Sequence, residues 1–367
     1  MYTPKTIKTV ILTLISASLC WAQYLDLASP YLKNTSESAG ITFQVQSFFP
    51  EAGDSKTYTA IAIPLQARYE HNRYTSFSVR LNQGLQSFNG TGVFGLGDVL
   101  ISGRYLYNQD ITILGGLTLP FGRKKFDDLD QLSTVAAGRI PFIHSPITFG
   151  SSGFGLQTGA SYGYQLNSEI AVAGGTMLFL RGAYTPLEDG PKFNPADELM
   201  LSAGIEYGDR EDLGFLGDIQ LSFYTSEKAD DIKIAKPGAG FAFSGNLFFL
   251  GFQLTSALSS RGASDLTFGS EYKAPSIFML KLKYQDALDY IPIPDYVPIM
   301  PYLGYEKTGQ GTLINSAQIF ILGGYLENIK YKDFPLNPFI EINVGSISDE
   351  AWTLGFKLGT EVAFQLY

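Results

Sequence analysis

The sequence predicts an all-β chain: an antiparallel transmembrane β-barrel of about 16 strands, with 14 possible and 12 the least. Three observations carry this. Apolar and polar residues alternate with period two along almost the whole chain, the mark of strands with opposed faces. Charged residues within those strands fall on one face only. Tyr and Phe recur at one end of alternate strands, where a lipid–water boundary suits them.

Composition narrows the classes. The 367 residues are 45% hydrophobic and 17% charged, with a mean hydropathy of +0.05. A near-neutral mean with so many apolar residues is what two opposed faces produce. An aromatic content of 14% excludes a disordered chain. One Cys excludes a disulfide framework and a Cys-based zinc site, and two His leave little room for a histidine metal cluster. No metal or cofactor is expected. A formal charge of −9 speaks against nucleic acid as a partner, since phosphate binding needs surplus Lys and Arg.

Residues 1–22 read as a secretory signal peptide. Lys5 and Lys8 form the basic start, Val10 to Leu19 the apolar run, and Cys20 and Ala22 the small residues before a cut at Gln23. The apolar run is too short for a membrane anchor, which needs ~20 residues. Residues 23–39 then form a periplasmic segment, and residues 40–367 the barrel.

Sixteen segments alternate: 40–49, 57–69, 73–84, 96–108, 110–120, 154–167, 168–184, 198–208, 213–225, 238–246, 248–260, 277–286, 298–306, 314–328, 336–346 and 352–366. In the third, Thr75, Phe77, Val79 and Leu81 share one face, and Ser76, Ser78 and Arg80 the other. In the ninth, Phe215, Gly217, Ile219, Leu221 and Phe223 alternate with Asp218, Gln220 and Ser222. Turn residues separate the segments: His71-Asn72, Asn108-Gln109-Asp110, Asn167-Ser168 and Gly208-Asp209. Several segments exceed the ~5–6 residues usual in soluble sheets and match the tilted spans of an outer-membrane barrel.

Twelve strand-interior charges lie on the polar face: Arg68, Arg80, Asp98, Arg104, Arg181, Glu206, Asp218, Lys281, Lys283, Glu341, Lys357 and Glu361. In a barrel that face lines the lumen. A soluble β-sandwich gives the same pattern with the faces exchanged, so alternation alone does not decide. The aromatic ends decide better. With a periplasmic N-terminus, even-numbered strands finish on the lipid face with Tyr69, Tyr105 and Tyr107, Tyr162 and Tyr164, Tyr207, Phe243, Tyr284, Tyr325 and Phe364. Lys357-x-Gly359-x-x-Val362-x-Phe364 resembles the last-strand signature read by the barrel assembly machinery, although Gln365-Leu366-Tyr367 follows it.

The longest connection spans residues 121–153. It opens with Arg123, Lys124 and Lys125, continues with Asp127, Asp128 and Asp130, and then turns apolar through Val135, Ile140, Phe142 and Phe149. Such a loop is too apolar to hang in water. It either folds into the barrel mouth as a constriction or packs on the rim as a lid. The acidic run suits Ca²⁺ or, equally, a solvated charge run with local pairing. Enzyme chemistry finds no constellation: His144 and Ser145 are sequence neighbours, and His71 sits in a turn.

Gly95-Leu96-Gly97-Asp98, followed one hairpin later by Leu119-Pro120-Phe121-Gly122, resembles a pattern in outer-membrane barrels catalogued as proteins of the MetA pathway of phenol degradation. Phe121 stands where those have Thr. The resemblance covers about thirty residues and implies passage of small, including hydrophobic, molecules.

Together these features imply a passive outer-membrane pore or uptake porin for small solutes, in contact with outer-membrane lipid. The rival reading is a non-conducting structural or attachment barrel whose loops bind partners. Sixteen strands leave an aqueous channel, whereas paired charges filling a narrower barrel leave none.

Overall fold

The computed structural model describes residues 39–50, 58–63, 65–72, 74–108, 110–123, 125–137, 153–208, 213–267, 271–284, 299–311, 316–326, 329–331, 334–347 and 351–364. The signal peptide and most of residues 23–39 lie outside them.

Sixteen strands follow in chain order: β1 (Ala39–Pro50), β2 (Tyr58–Ala62, continuing as Leu65–Asn72), β3 (Thr75–Phe88), β4 (Thr91–Leu106), β5 (Ile111–Leu119), β6 (Gly155–Gln165), β7 (Ile170–Arg181) and β8 (Glu198–Gly208). They go on with β9 (Leu213–Tyr224), β10 (Gly240–Phe249), β11 (Phe252–Arg261), β12 (Ile277–Tyr284), β13 (Ile299–Thr308), β14 (Ala317–Leu326, continuing as Ile329–Tyr331), β15 (Phe334–Ile347) and β16 (Ala351–Phe364). Each pairs antiparallel with its sequence neighbours. The ring closes where β1 pairs with β16, from Ala39↔Phe364 to Pro50↔Thr353. Closure removes the free edges that would otherwise leave backbone donors and acceptors unsatisfied in lipid.

The two faces are chemically distinct. Phe77, Phe94, Leu156, Leu201, Ile219, Leu354 and Phe356 are exposed on the outer face. The alternate positions point inward, and Ala60, Ala62 and Val93 among them share one apolar cluster with residues of the long connections. Aromatic residues Tyr69, Tyr105, Tyr162, Tyr164 and Tyr207 are exposed on the outer face, toward the ends of even-numbered strands. β14 corrects one expectation. Phe320 and Leu322 are the exposed residues there (62% and 55%), while Ile319 is 2% exposed. Tyr325 therefore shares the inward face with Ile319 and does not belong to the outer ring. All four residues Ile319–Leu322 are apolar, so alternation did not mark the outer face of this strand.

The two barrel ends differ. One, the short-turn end, holds the start of β1 and the end of β16; six of its seven connections are four residues or fewer, and the seventh, joining β12 to β13, spans residues 285–298. Asn72, Asn108 and Asn167 each use Oδ1 to accept two backbone amides two and three residues on, at 2.7–2.9 Å. Three successive turns at this end share that device. The other, the long-loop end, carries most of the long connections. Its shortest is Asn89-Gly90, both at positive φ (52° and 81°), joining Phe88 to Thr91. This two-residue hairpin turn extends β3 and β4 well past the expected limits of 84 and 96, because Asn-Gly suits the twist of paired strands.

Also at the long-loop end, five short strands form a second sheet: Phe193–Asn194, Glu227–Ala229, Ile232–Lys236, Ser264–Leu266 and Glu271–Tyr272. They come from the connections after β7, β9 and β11. Asp230-Asp231, both at positive φ, is the turn joining two of them.

Candidate functional site

The inner wall is the candidate site, together with the segment that enters it. That segment follows β5 and includes a helix, α1 (Leu129–Ala137). The acidic run begins this helix. Asp128 Oδ1 accepts the Gln131 amide at 2.8 Å, an N-cap contact. Asp127 pairs with Arg123 at 2.9 Å and accepts from Gln131 Nε2 at 3.1 Å. Those two partners, Gln131 first, hold the Asp127 carboxyl below its ordinary value. Asp130 lies in the first turn, where a negative charge faces the positive helix end. Arg123 also caps Lys125 O at 3.0 Å and lies over the Phe126 ring. Lys124 and residues 138–152, with His144 and Ser145, are outside the described residues. Among the described residues no three His, Cys, Asp or Glu are grouped to hold a metal.

α1 packs on the inner wall. Leu132 and Val135 join one apolar cluster with Ala60, Ala62 and Val93 of β2 and β4. Small side chains there make room for a helix. Thr134 Oγ1 bonds to Asp130 O at 2.8 Å and reaches Thr91 O at 3.4 Å. The same cluster takes in Phe126, Leu187 and Phe193, then Ile234 and Tyr272 of the loop sheet. The long loops thus share one core with the wall of the mouth.

The registers place the twelve charged residues on the inward face. For Arg68 and Glu361 only the backbone position is described. Arg80 and Arg104 lie on β3 and β4, opposite Leu100 and Ser76. Asp218 is buried. Arg181, at the long-loop end of β7, is tied to Glu198 at 2.5 Å and to Ala196 O at 2.6 Å. Nearby, Arg261 lies over the Tyr224 ring, 4.2 Å from its centre.

Lys281, Lys283, Glu341 and Lys357 are brought together across β12 to β16. Lys357 Nζ is 2.9 Å from Glu341 Oε1. Tyr302 donates its hydroxyl to Glu341 Oε2 at 2.8 Å, and Asn343 Nδ2 donates to Oε1 at 3.1 Å. Lys281 Nζ sits 3.5 Å from the centre of the Tyr302 ring and 5.4 Å from that of Tyr325. Lys283 Nζ is 5.7 Å from the Tyr325 ring centre. The aromatic faces attract the two ammonium groups. Sequence reading missed Tyr302 and Asn343 because it selected by charge, and it placed Tyr325 on the lipid face. It missed the fully buried Glu306 because that residue stood at the limit of its segment.

No protein-family model matches the sequence, and no curated protein does. Solved structures do match. Pseudomonas putida OprB is 10% identical, with 89% of this chain and 94% of that chain covered and a TM-score of 0.53. Pseudomonas aeruginosa OccK9 (OpdG) is 8% identical, with 92% and 100% covered and a TM-score of 0.50. An outer membrane channel of Pseudomonas putida F1 is 16% identical over 70% of this chain, with a TM-score of 0.43. The fold is an outer-membrane β-barrel. At such identities the likeness speaks for architecture alone, and the chemistry of the wall is this chain's own.

Proposed function

We propose that the chain is a passive outer-membrane pore or uptake channel for small solutes. The observation that carries this is the ring of sixteen strands with charges on its inward face. A ring of that size is wide enough for water, and a wall of mixed charge keeps it wet. The short-turn end faces the periplasm and the long-loop end the exterior, as is general for such barrels. Residues 1–22 direct export, and Lys357, Gly359, Val362 and Phe364 present the last strand to the barrel assembly machinery. The 120–137 segment, with Arg123, Lys124, Lys125, Asp127, Asp128 and Asp130, narrows the mouth. The Gly95–Gly122 resemblance favours passage of small, including hydrophobic, molecules.

The test is single-channel recording in planar bilayers. The folded barrel is expected to conduct, and Arg80→Ala with Arg104→Ala to shift its ion preference toward cations. Absence of conductance from a barrel that shows the heat-dependent gel shift of a folded barrel would sink the pore reading. A second reading draws on the shared apolar core of the loops and the inner wall: a closed barrel whose loops act outside. That barrel would show the gel shift and no liposome swelling.

A further inference from the structure

The two halves of the Gly95–Asp98 and Leu119–Gly122 pattern touch. Between Leu81↔Val99 and Gln83↔Leu96, β3 contributes Asn82 alone while β4 contributes Gly97 and Asp98. This is a β-bulge, and it turns two consecutive residues to the same side. Above it, Val93 and Gly95 face inward; below it, Asp98, Leu100 and Ser102 do. Beside the bulge β5 ends, with Leu119 opposite Val99, while the β3–β4 hairpin runs on to Asn89-Gly90. At that step the chain leaves the wall. Phe121 stays exposed outside, and the next residue, Gly122, is buried. The Gly122 amide donates to Asp98 Oδ1 at 3.1 Å, and the Arg123 amide to Leu96 O at 3.4 Å. Seven residues later α1 begins, seated on the inner face of the projecting hairpin.

We propose that Asp98 is a positioning residue: the extra inward residue of the bulge captures the Gly122 amide and turns the 120–137 segment into the lumen. This deepens the pore reading and rests on it for the conductance measurement alone. Without the acceptor, the Pro120-Phe121-Gly122 turn loses its anchor, and α1 is free to leave the wall it packs on.

The test uses the full barrel from Gln23 onward, which has no cysteine of its own because the sole one, Cys20, precedes it. Spin labels are placed at Ser133→Cys on α1 and Ser168→Cys at the short-turn end, both exposed. The parent and Asp98→Asn, which keeps a side-chain oxygen, are expected to give one narrow distance peak. Asp98→Ala is expected to lose it to a broad distribution, and its conductance to rise. If Asp98→Ala fails the gel-shift check for folding, Gly122→Pro removes the donor and leaves Asp98 in place. A narrow peak retained in the alanine variant overturns the proposal, as does an asparagine variant as broad as the alanine one. A silent parent channel sinks the pore reading instead, and the distances still decide the role of Asp98.

Discussion

Lys357 and Glu341 face one another across β16 and β15, Nζ to Oε1 2.9 Å, with side chains only 10% and 12% exposed. Glu341 also accepts from Tyr302 and Asn343, so its charge is well satisfied where water is scarce. Removing one partner of such a pair leaves the other charge buried. Lys357→Met should lower stability by about 3 kcal/mol. Adding Glu341→Gln should recover much of that loss, because no buried charge is left unpaired. Denaturant unfolding of the refolded barrel measures both. A double variant as weak as the single one argues against a buried ion pair.

The faces of β9 give a sharper test of the membrane assignment. Ile219 and Gln220 are adjacent, with Ile219 exposed outward and Gln220 turned in. Ile219→Arg should cost about 2–4 kcal/mol in phospholipid vesicles if the position lies near the midplane. Gln220→Arg places the same charge on the lumen face and should fold nearly as well as the parent. A soluble sandwich would reverse that order, since the exposed residue would then meet water.

The contrast explains what was legible. All sixteen strands could be drawn because in most of them the two faces differ in chemistry. β14 shows the limit: Ile319, Phe320, Ile321 and Leu322 are apolar in succession, and Tyr325 was assigned to the wrong side. The loop sheet was invisible for another reason. Its strands are two to five residues long and pair across three separate connections, so no local pattern marks them. Asn89-Gly90 carried a legible hairpin signal that went unused. The network around Glu341 needed register, because Tyr302, Asn343 and Lys357 meet only when three hairpins are laid side by side.

Two glycines separate backbone strain from space. A Cβ at either Gly90 or Gly115 meets nothing within 4 Å. Only Gly90 has a positive φ, 81°. Gly90→Ala should therefore cost about 1–2 kcal/mol, the penalty for an L-residue in the left-handed region. Gly115→Ala should be neutral or slightly stabilising, because it restricts the unfolded chain without a clash. Equal losses from both would show that room, not φ, governs the hairpin turn.

The start of α1 should respond to acid. The Gln131 side chain and then Arg123 favour the ionised form of Asp127, so its folded value lies below the unfolded one. A carboxyl lowered in this way contributes order that is fully present above its unfolded value, and loses it as pH falls through the folded value. Asp127 is fully exposed, so the effect belongs to the helix start and not to the barrel. A spin label at Ser133→Cys should become more mobile as pH falls through the acid range, while the gel shift of the whole barrel persists. Gln131→Ala should move that transition to higher pH, since it removes the leading cause of the lowered value. Arg123→Gln should move it in the same direction, since its charge and its hydrogen bond also favour the ionised form. Mobility that changes only when the entire barrel unfolds would place the control of α1 elsewhere, in its apolar seat against Ala60, Ala62 and Val93.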